Sequence, residues 1–175
     1  MKKLVLSTIV GLSLASATSV GFGTGYLDGK YKPIFLKLNT NVDFLGFGAT
    51  IATDYLKGFV HNKFNINNVN NIAIATKQNI GLEKYKIENK NEIQAFLGYN
   101  ILFTKYKNLI TKETNIFPQI LTEIGTKSTI IGAGVIIKFN NKLNAEYSFK
   151  RRFLYKKVEN TKATNSATIS FNYLF

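Results

Sequence analysis

Glu123, Lys138, Glu146, Lys150 and Arg152 are the residues of this chain whose types and spacing could act together. Each falls at an alternate position of a segment that interleaves polar and apolar side chains. A sheet built from these segments would aim all five at one enclosed space. Charges removed from water must pair with one another or with hydrogen-bonding partners. One chemistry is therefore a structural plug of salt bridges. The sharper alternative is a selective path for ions. Phe96, Ile130 and Ile136 point the same way and would narrow it.

No other residue set suggests chemistry. His61 is the only histidine, within His61-Asn62-Lys63, and is expected on a solvated loop or edge strand. The chain has no Cys, and no His, Asp or Glu cluster has zinc or calcium spacing. A lipid-cleaving barrel would need a Ser and an acid within reach of His61, and no Ser lies near it in sequence. The stretches Gly21-Phe22-Gly23-Thr24-Gly25 and Gly46-Phe47-Gly48 look like phosphate loops only superficially, because no Lys-Ser/Thr follows. They read as strand positions facing a crowded interior. No catalytic residue, cofactor or metal is expected.

The elements that would position these charges are strands. In the last eleven residues, Ala167, Ile169, Phe171, Tyr173 and Phe175 share one face, and Thr168, Ser170 and Asn172 the other. That length suits a tilted bilayer-spanning strand, about 9–11 residues. Over 142–153 the apolar set is Leu143, Ala145, Tyr147, Phe149 and Phe153; the polar set is Asn144, Glu146, Ser148, Lys150 and Arg152. Over 129–139, Ile131, Ala133, Val135, Ile137 and Phe139 oppose Ile130, Gly132, Gly134, Ile136 and Lys138. Asn140-Asn141 is expected as a two-residue hairpin turn on the periplasmic side. Over 92–103, Ile93 to Phe103 alternate outward while Gln94, Phe96, Gly98 and Asn100 point inward. Over 116–124, Gln119 and Glu123 face inward, and Pro118 marks a bulge or a strand start. Residues 72–82, 43–53 and 34–40 complete an eight-stranded barrel. Adding 20–26 and 59–66 would make ten.

Met1-Lys2-Lys3, the apolar run 4–14 and Ala15-Ser16-Ala17 form a secretory signal with cleavage expected after Ala17. Residues 18–175 are then one barrel domain. No apolar run of the remainder approaches the ~20 residues of a spanning helix. Mean hydropathy is near zero with 13% aromatic residues, as a barrel with one lipid face and one lumen face requires. A soluble lipocalin-like barrel would reverse every face and expose too many aromatics. The net charge is +13, mostly Lys. A basic chain suggests nucleic acid, but secretion argues against that partner and leaves anionic lipid headgroups or surface polysaccharide.

From Thr129 onward the chain resembles small opacity-type outer-membrane barrels, relatives of the outer membrane protein A transmembrane domain. Gly132-Ala133-Gly134, Asn140-Asn141-Lys142-Leu143, Glu146-Tyr147 and the alternating 169–175 carry the resemblance. It implies an all-β, up-and-down transmembrane barrel of eight strands in a Gram-negative outer membrane. It also implies that Phe171, Tyr173 and Phe175 are the signal read by the barrel-assembly machinery.

The resulting expectation is a non-enzymatic surface, envelope-structural or adhesin-like protein, with an unidentified host or surface ligand possible. The alternatives are a narrow pore and a barrel enzyme acting on lipid. Arg151 interrupts the outward face between Phe149 and Phe153. Eight steps from Leu143 at roughly 2.3 Å of rise place it near the far edge of an apolar band about 25 Å tall. With Lys156, Lys157 and Lys162, expected in a long loop before the last strand, it would form a basic collar facing lipopolysaccharide phosphates.

Overall fold

The computed structural model describes residues 19–27, 30–42, 45–69, 72–105 and 115–175. The expected signal segment, 1–17, lies outside the described residues. Ten strands follow in chain order: β1 (Ser19–Leu27), β2 (Lys30–Val42), β3 (Leu45–Ala52), β4 (Tyr55–Val69), β5 (Ile72–Ile87), β6 (Lys90–Lys105), β7 (Ile116–Gly125), β8 (Ser128–Lys138), β9 (Leu143–Val158) and β10 (Thr161–Leu174). Each pairs antiparallel with the next, and β1 closes on β10, from Ser19 opposite Leu174 to Leu27 opposite Ser166.

The architecture is therefore a closed, all-β, up-and-down barrel, but with ten strands where eight were expected. Two segments make the difference. The glycine-rich 20–26 is β1, and 59–66 is the middle of β4. Glycine hid β1, because at alternate positions it leaves no polar side chain to read. It is needed there: a Cβ on Gly23 would collide with the Phe35 ring of β2. Gly48 on β3 makes the same room for Phe59 of β4.

The faces separate cleanly. Phe22, Phe47, Ile80, Leu82, Ile93, Leu97, Ile124, Ile131, Phe149 and Phe171 each expose half or more of their surface on the outside. Inside lie Lys57, Glu83, Gln94, Gln119, Glu123, Ser148, Arg152 and Ser170, all buried. A lipocalin-like barrel would show the opposite arrangement. Pro118 costs no hydrogen bond to β6, because that ladder ends at Leu102 opposite Gln119.

The two ends differ. One end carries four two-residue turns at 53–54, 88–89, 126–127 and 159–160, together with the end of β1 and the start of β2. The other carries the start of β1, the end of β10 and the 139–142 connection. That connection is four residues, not the two-residue Asn140-Asn141 turn. Asn140 Oδ1 accepts from the backbone N–H of Lys142 and of Leu143, both at 2.8 Å, so the side chain supplies the turn's bonds. The long loop before the last strand does not exist. Pairing of β9 with β10 continues up to Val158 opposite Thr161, through a register shift between Thr161 and Ala163. Lys156 and Lys157 are thus on β9 and Lys162 on β10.

Candidate functional site: the charged lumen

The lumen charges bond across the barrel as chords, not along its wall. Arg152 on β9 reaches Glu83 on β5, with Nη2 2.7 Å from Oε1. The rest of the contact is a closed ring. Arg152 Nη1 donates to Ser128 Oγ at 3.0 Å, Ser128 Oγ donates to Gln94 Oε1 at 3.0 Å, and Gln94 Nε2 donates to Glu83 Oε2 at 2.9 Å. Both Glu83 oxygens are used, and Glu83 is only 1% exposed. The guanidinium also lies 3.8 Å from the centroid of the Tyr85 ring. Beside this ring Lys57 of β4 pairs with Glu123 of β7, its ammonium 4.1 Å from the Phe96 ring centroid.

Register explains why these groups meet. Gln94 stands opposite Glu83 in the β5–β6 ladder, so both point inward at one height. Gly125 leaves the space that the Gln94 amide fills.

A second tier lies nearer the terminal end. Lys37 Nζ of β2 is 2.9 Å from Glu146 Oε2 of β9 and donates to Ser170 Oγ of β10 at 3.1 Å. Gln119 Nε2 donates to Glu146 Oε1, and Asn100 Nδ2 to Gln119 Oε1, both at 3.0 Å. A cavity of about 390 Å³ spans the space between the tiers. Its lining includes Lys37, Lys57, Lys77, Lys150 and Arg152 against Glu83, Glu123 and Glu146; Lys86, at its edge, has the outward parity of β5 and lies 3.9 Å from Asp54.

Of the five charges read from the sequence, Glu123, Glu146 and Arg152 belong to this network. Lys150 lines the cavity, half-buried. Lys138 does not join. It has the inward parity of its strand but sits at the exposed end of β8, with Nζ 4.9 Å from the Phe117 ring centroid. The partners Lys37, Lys57 and Glu83 were missed. Lys37 is a single charge between Leu36 and Leu38, and that pattern was the available signal; Lys57 lies between Leu56 and Gly58, and Glu83 is followed by Lys84, so neither stands out.

His61 is also not where it was expected. It lies on β4 opposite Gly46, 4% exposed, with its ring centroid 5.8 Å from that of Phe59. Neither ring nitrogen hydrogen-bonds a described residue.

On the outside, Phe171 and Tyr173 face away from the lumen, and Phe175 packs edge-on against Tyr173 at 5.3 Å while remaining 75% exposed. Arg151 is exposed on β9, its guanidinium 5.3 Å from the Phe153 ring centroid.

The chain is similar to several solved structures at low identity. A KdgM porin in complex with disordered oligogalacturonate shares 8% identity over 90% of this chain and 99% of that one, with a TM-score of 0.46. A NanC porin shares 9% over 89% and 100%, also at 0.46. Ail, the attachment invasion locus protein of Yersinia pestis, shares 12% over 90% and 95%, at 0.29. No family model and no curated protein matches the chain, so the opacity-type likeness of its last third stays a resemblance.

Proposed function

We propose that this chain is an outer-membrane β-barrel whose lumen is a narrow channel preferring small anions. One observation carries the reading: the central cavity is lined by five inward cationic side chains and three carboxylates, a surplus of two positive charges, Lys86 at its edge being paired with Asp54. An eight-stranded barrel is filled by its own side chains. Two more strands widen the bore enough to leave the cavity, and its charge then selects by sign. The apolar outer band supports membrane residence, since a soluble surface does not carry so continuous an apolar belt.

The test is the reversal potential in a planar bilayer under a potassium chloride gradient. The intact barrel is expected to show the sign of chloride preference. Replacing Lys77 and Lys150 together with Gln removes both surplus charges and should move the potential most of the way toward zero. A cation-selective intact barrel would overturn the proposal.

A second reading, an envelope-structural protein, is favoured by the chord network, which braces the wall from inside. It predicts no conductance above leak.

Toward the turn end, the exposed Arg151, Lys156, Lys157 and Lys162 support a basic collar against lipopolysaccharide phosphates. Each such charge near an anionic surface is worth about 1 kcal/mol. Neutralising Arg151, Lys156 and Lys157 should reduce the stability that lipopolysaccharide adds over a neutral bilayer. An unchanged increment in thermal melting would remove the collar.

A further inference from the structure

Three buried oxygens of the cavity wall bond no described residue: Asn79 Oδ1, Asn100 Oδ1 and Glu123 Oε2. All three residues line the cavity, and Glu123 is only 7% exposed. A buried acceptor without a donor costs free energy, so three of them on one wall need a cause.

Their orientation follows from their neighbours. The ionised Glu146 carboxylate can only accept, so Gln119 turns its amide nitrogen to it, at 3.0 Å. The Gln119 oxygen then faces Asn100, which donates to it from Nδ2, again at 3.0 Å. Asn100 Oδ1 is left turned away from Gln119. On Glu123, the Lys57 ammonium takes Oε1 and leaves Oε2.

Register puts the three on adjacent strands. Asn79 of β5 is opposite Gly98 of β6, and Gly98 is opposite Glu123 of β7. A Cβ on Gly98 would lie 3.2 Å from Asn79 Nδ2 and 3.3 Å from Glu123 Cγ, so both side chains lean over the gap that this glycine leaves. Asn100 is the next inward residue of β6. The row through Asn100 runs from Lys77 on β5, past Leu121 and Gly132, to Lys150 on β9. A Cβ on Gly132 would meet Lys150 Cγ at 2.9 Å and Leu121 Cδ1 at 3.1 Å, so the Lys150 stem crosses β8 toward β7. The patch of acceptors thus has a lysine on each side.

We infer that the cavity binds a small zwitterion, its ammonium on Asn79, Asn100 and Glu123 and its carboxylate toward Lys77 and Lys150. This names the solute class of the channel proposed above and rests on that reading. An ammonium carries three donors and no acceptor, which matches three unused acceptors. Its bond to Glu123 is charge-assisted. A bare cation would meet the positive surplus of the lumen, and a simple anion would meet the oxygens. A molecule with both charges satisfies both sides. A cavity of about 390 Å³ is near the low end of ligand pockets, roughly 300–1,000 Å³, and suits a solute the size of a short amino acid.

Alanine, lactate and ethylammonium separate the two charges. Lactate has a hydroxyl in place of the ammonium, and ethylammonium lacks the carboxylate. Each is titrated by ligand-observed NMR against the full barrel refolded in lipid vesicles. Alanine should bind about tenfold more tightly than either, the size of one lost charge-assisted hydrogen bond. Glu123→Gln should bring alanine to the level of lactate. Asn79→Leu keeps the shape and the Lys57–Glu123 pair, removes one acceptor, and should weaken alanine several-fold. Lactate or ethylammonium binding as tightly as alanine, or Asn79→Leu at full affinity, overturns the inference. So does the absence of saturable alanine binding, which would leave the oxygens to ordered water. Vesicle swelling in isosmotic alanine reads the channel separately. Saturable binding without swelling would keep the site and sink the channel; swelling without saturable binding would keep the channel and sink the site.

Discussion

Arg152→Ala should destabilise the barrel by about 3–5 kcal/mol, the range for removing one partner of a buried ion pair. The cost arises on the acid left behind. Glu83 loses its cation in a site 1% exposed, Ser128 loses a donor, and Tyr85 loses the stacked guanidinium. Replacing both members with apolar residues, as Arg152→Met with Glu83→Leu, should recover most of the loss, because no unpaired charge remains. Urea titrations of refolding into lipid vesicles measure both variants. A loss under about 1 kcal/mol for Arg152→Ala would show that Glu83 is not held in a site closed to water.

Phe171→Arg should cost on the order of 2–4 kcal/mol if Phe171 meets the bilayer near its midplane. The control must sit on the same strand and point inward. Ser170 is adjacent but unsuitable: it is 1% exposed and accepts from Lys37 at 3.1 Å, so an arginine there would meet a cation in a filled site. Thr168 lines the cavity and serves better. The same titrations apply, and a larger loss for Thr168→Arg than for Phe171→Arg would reverse the assigned faces.

The last third of the chain was legible because its polar and apolar residues alternate without interruption. The facing of β7 to β10 in the structure is the one read from period two, down to inward Glu123, Glu146 and Arg152. The amino-terminal part was harder for two physical reasons. Glycine at 21, 23 and 25 carries no side chain to alternate. In β4, Lys57 looks like a loop residue until its partner across the lumen, Glu123, is known, and His61 is buried without a hydrogen bond from its ring to a described residue. Partner identity is where sequence gives out. Arg152 and Glu83 are 69 residues apart, and the ladder records only neighbours on adjacent strands, whereas each lumen ion pair spans several. Lys138 shows the converse limit. Its parity is right, but parity does not tell how far along the strand the lumen ends.

The seam between β1 and β10 fixes the order of events in folding. Ser19 pairs with Leu174 and Phe22 with Phe171, so the first strand waits for the last. Until β10 is in place, β1 and β9 each present an unpaired edge, a template for wrong partners. Contacts this distant in sequence also make closure slow. Hairpins of neighbouring strands need only local contacts, but the ring cannot close until β1 and β10 are both in place. A chain held in an aqueous compartment before that step needs protection, because it carries open edges and an apolar face at once.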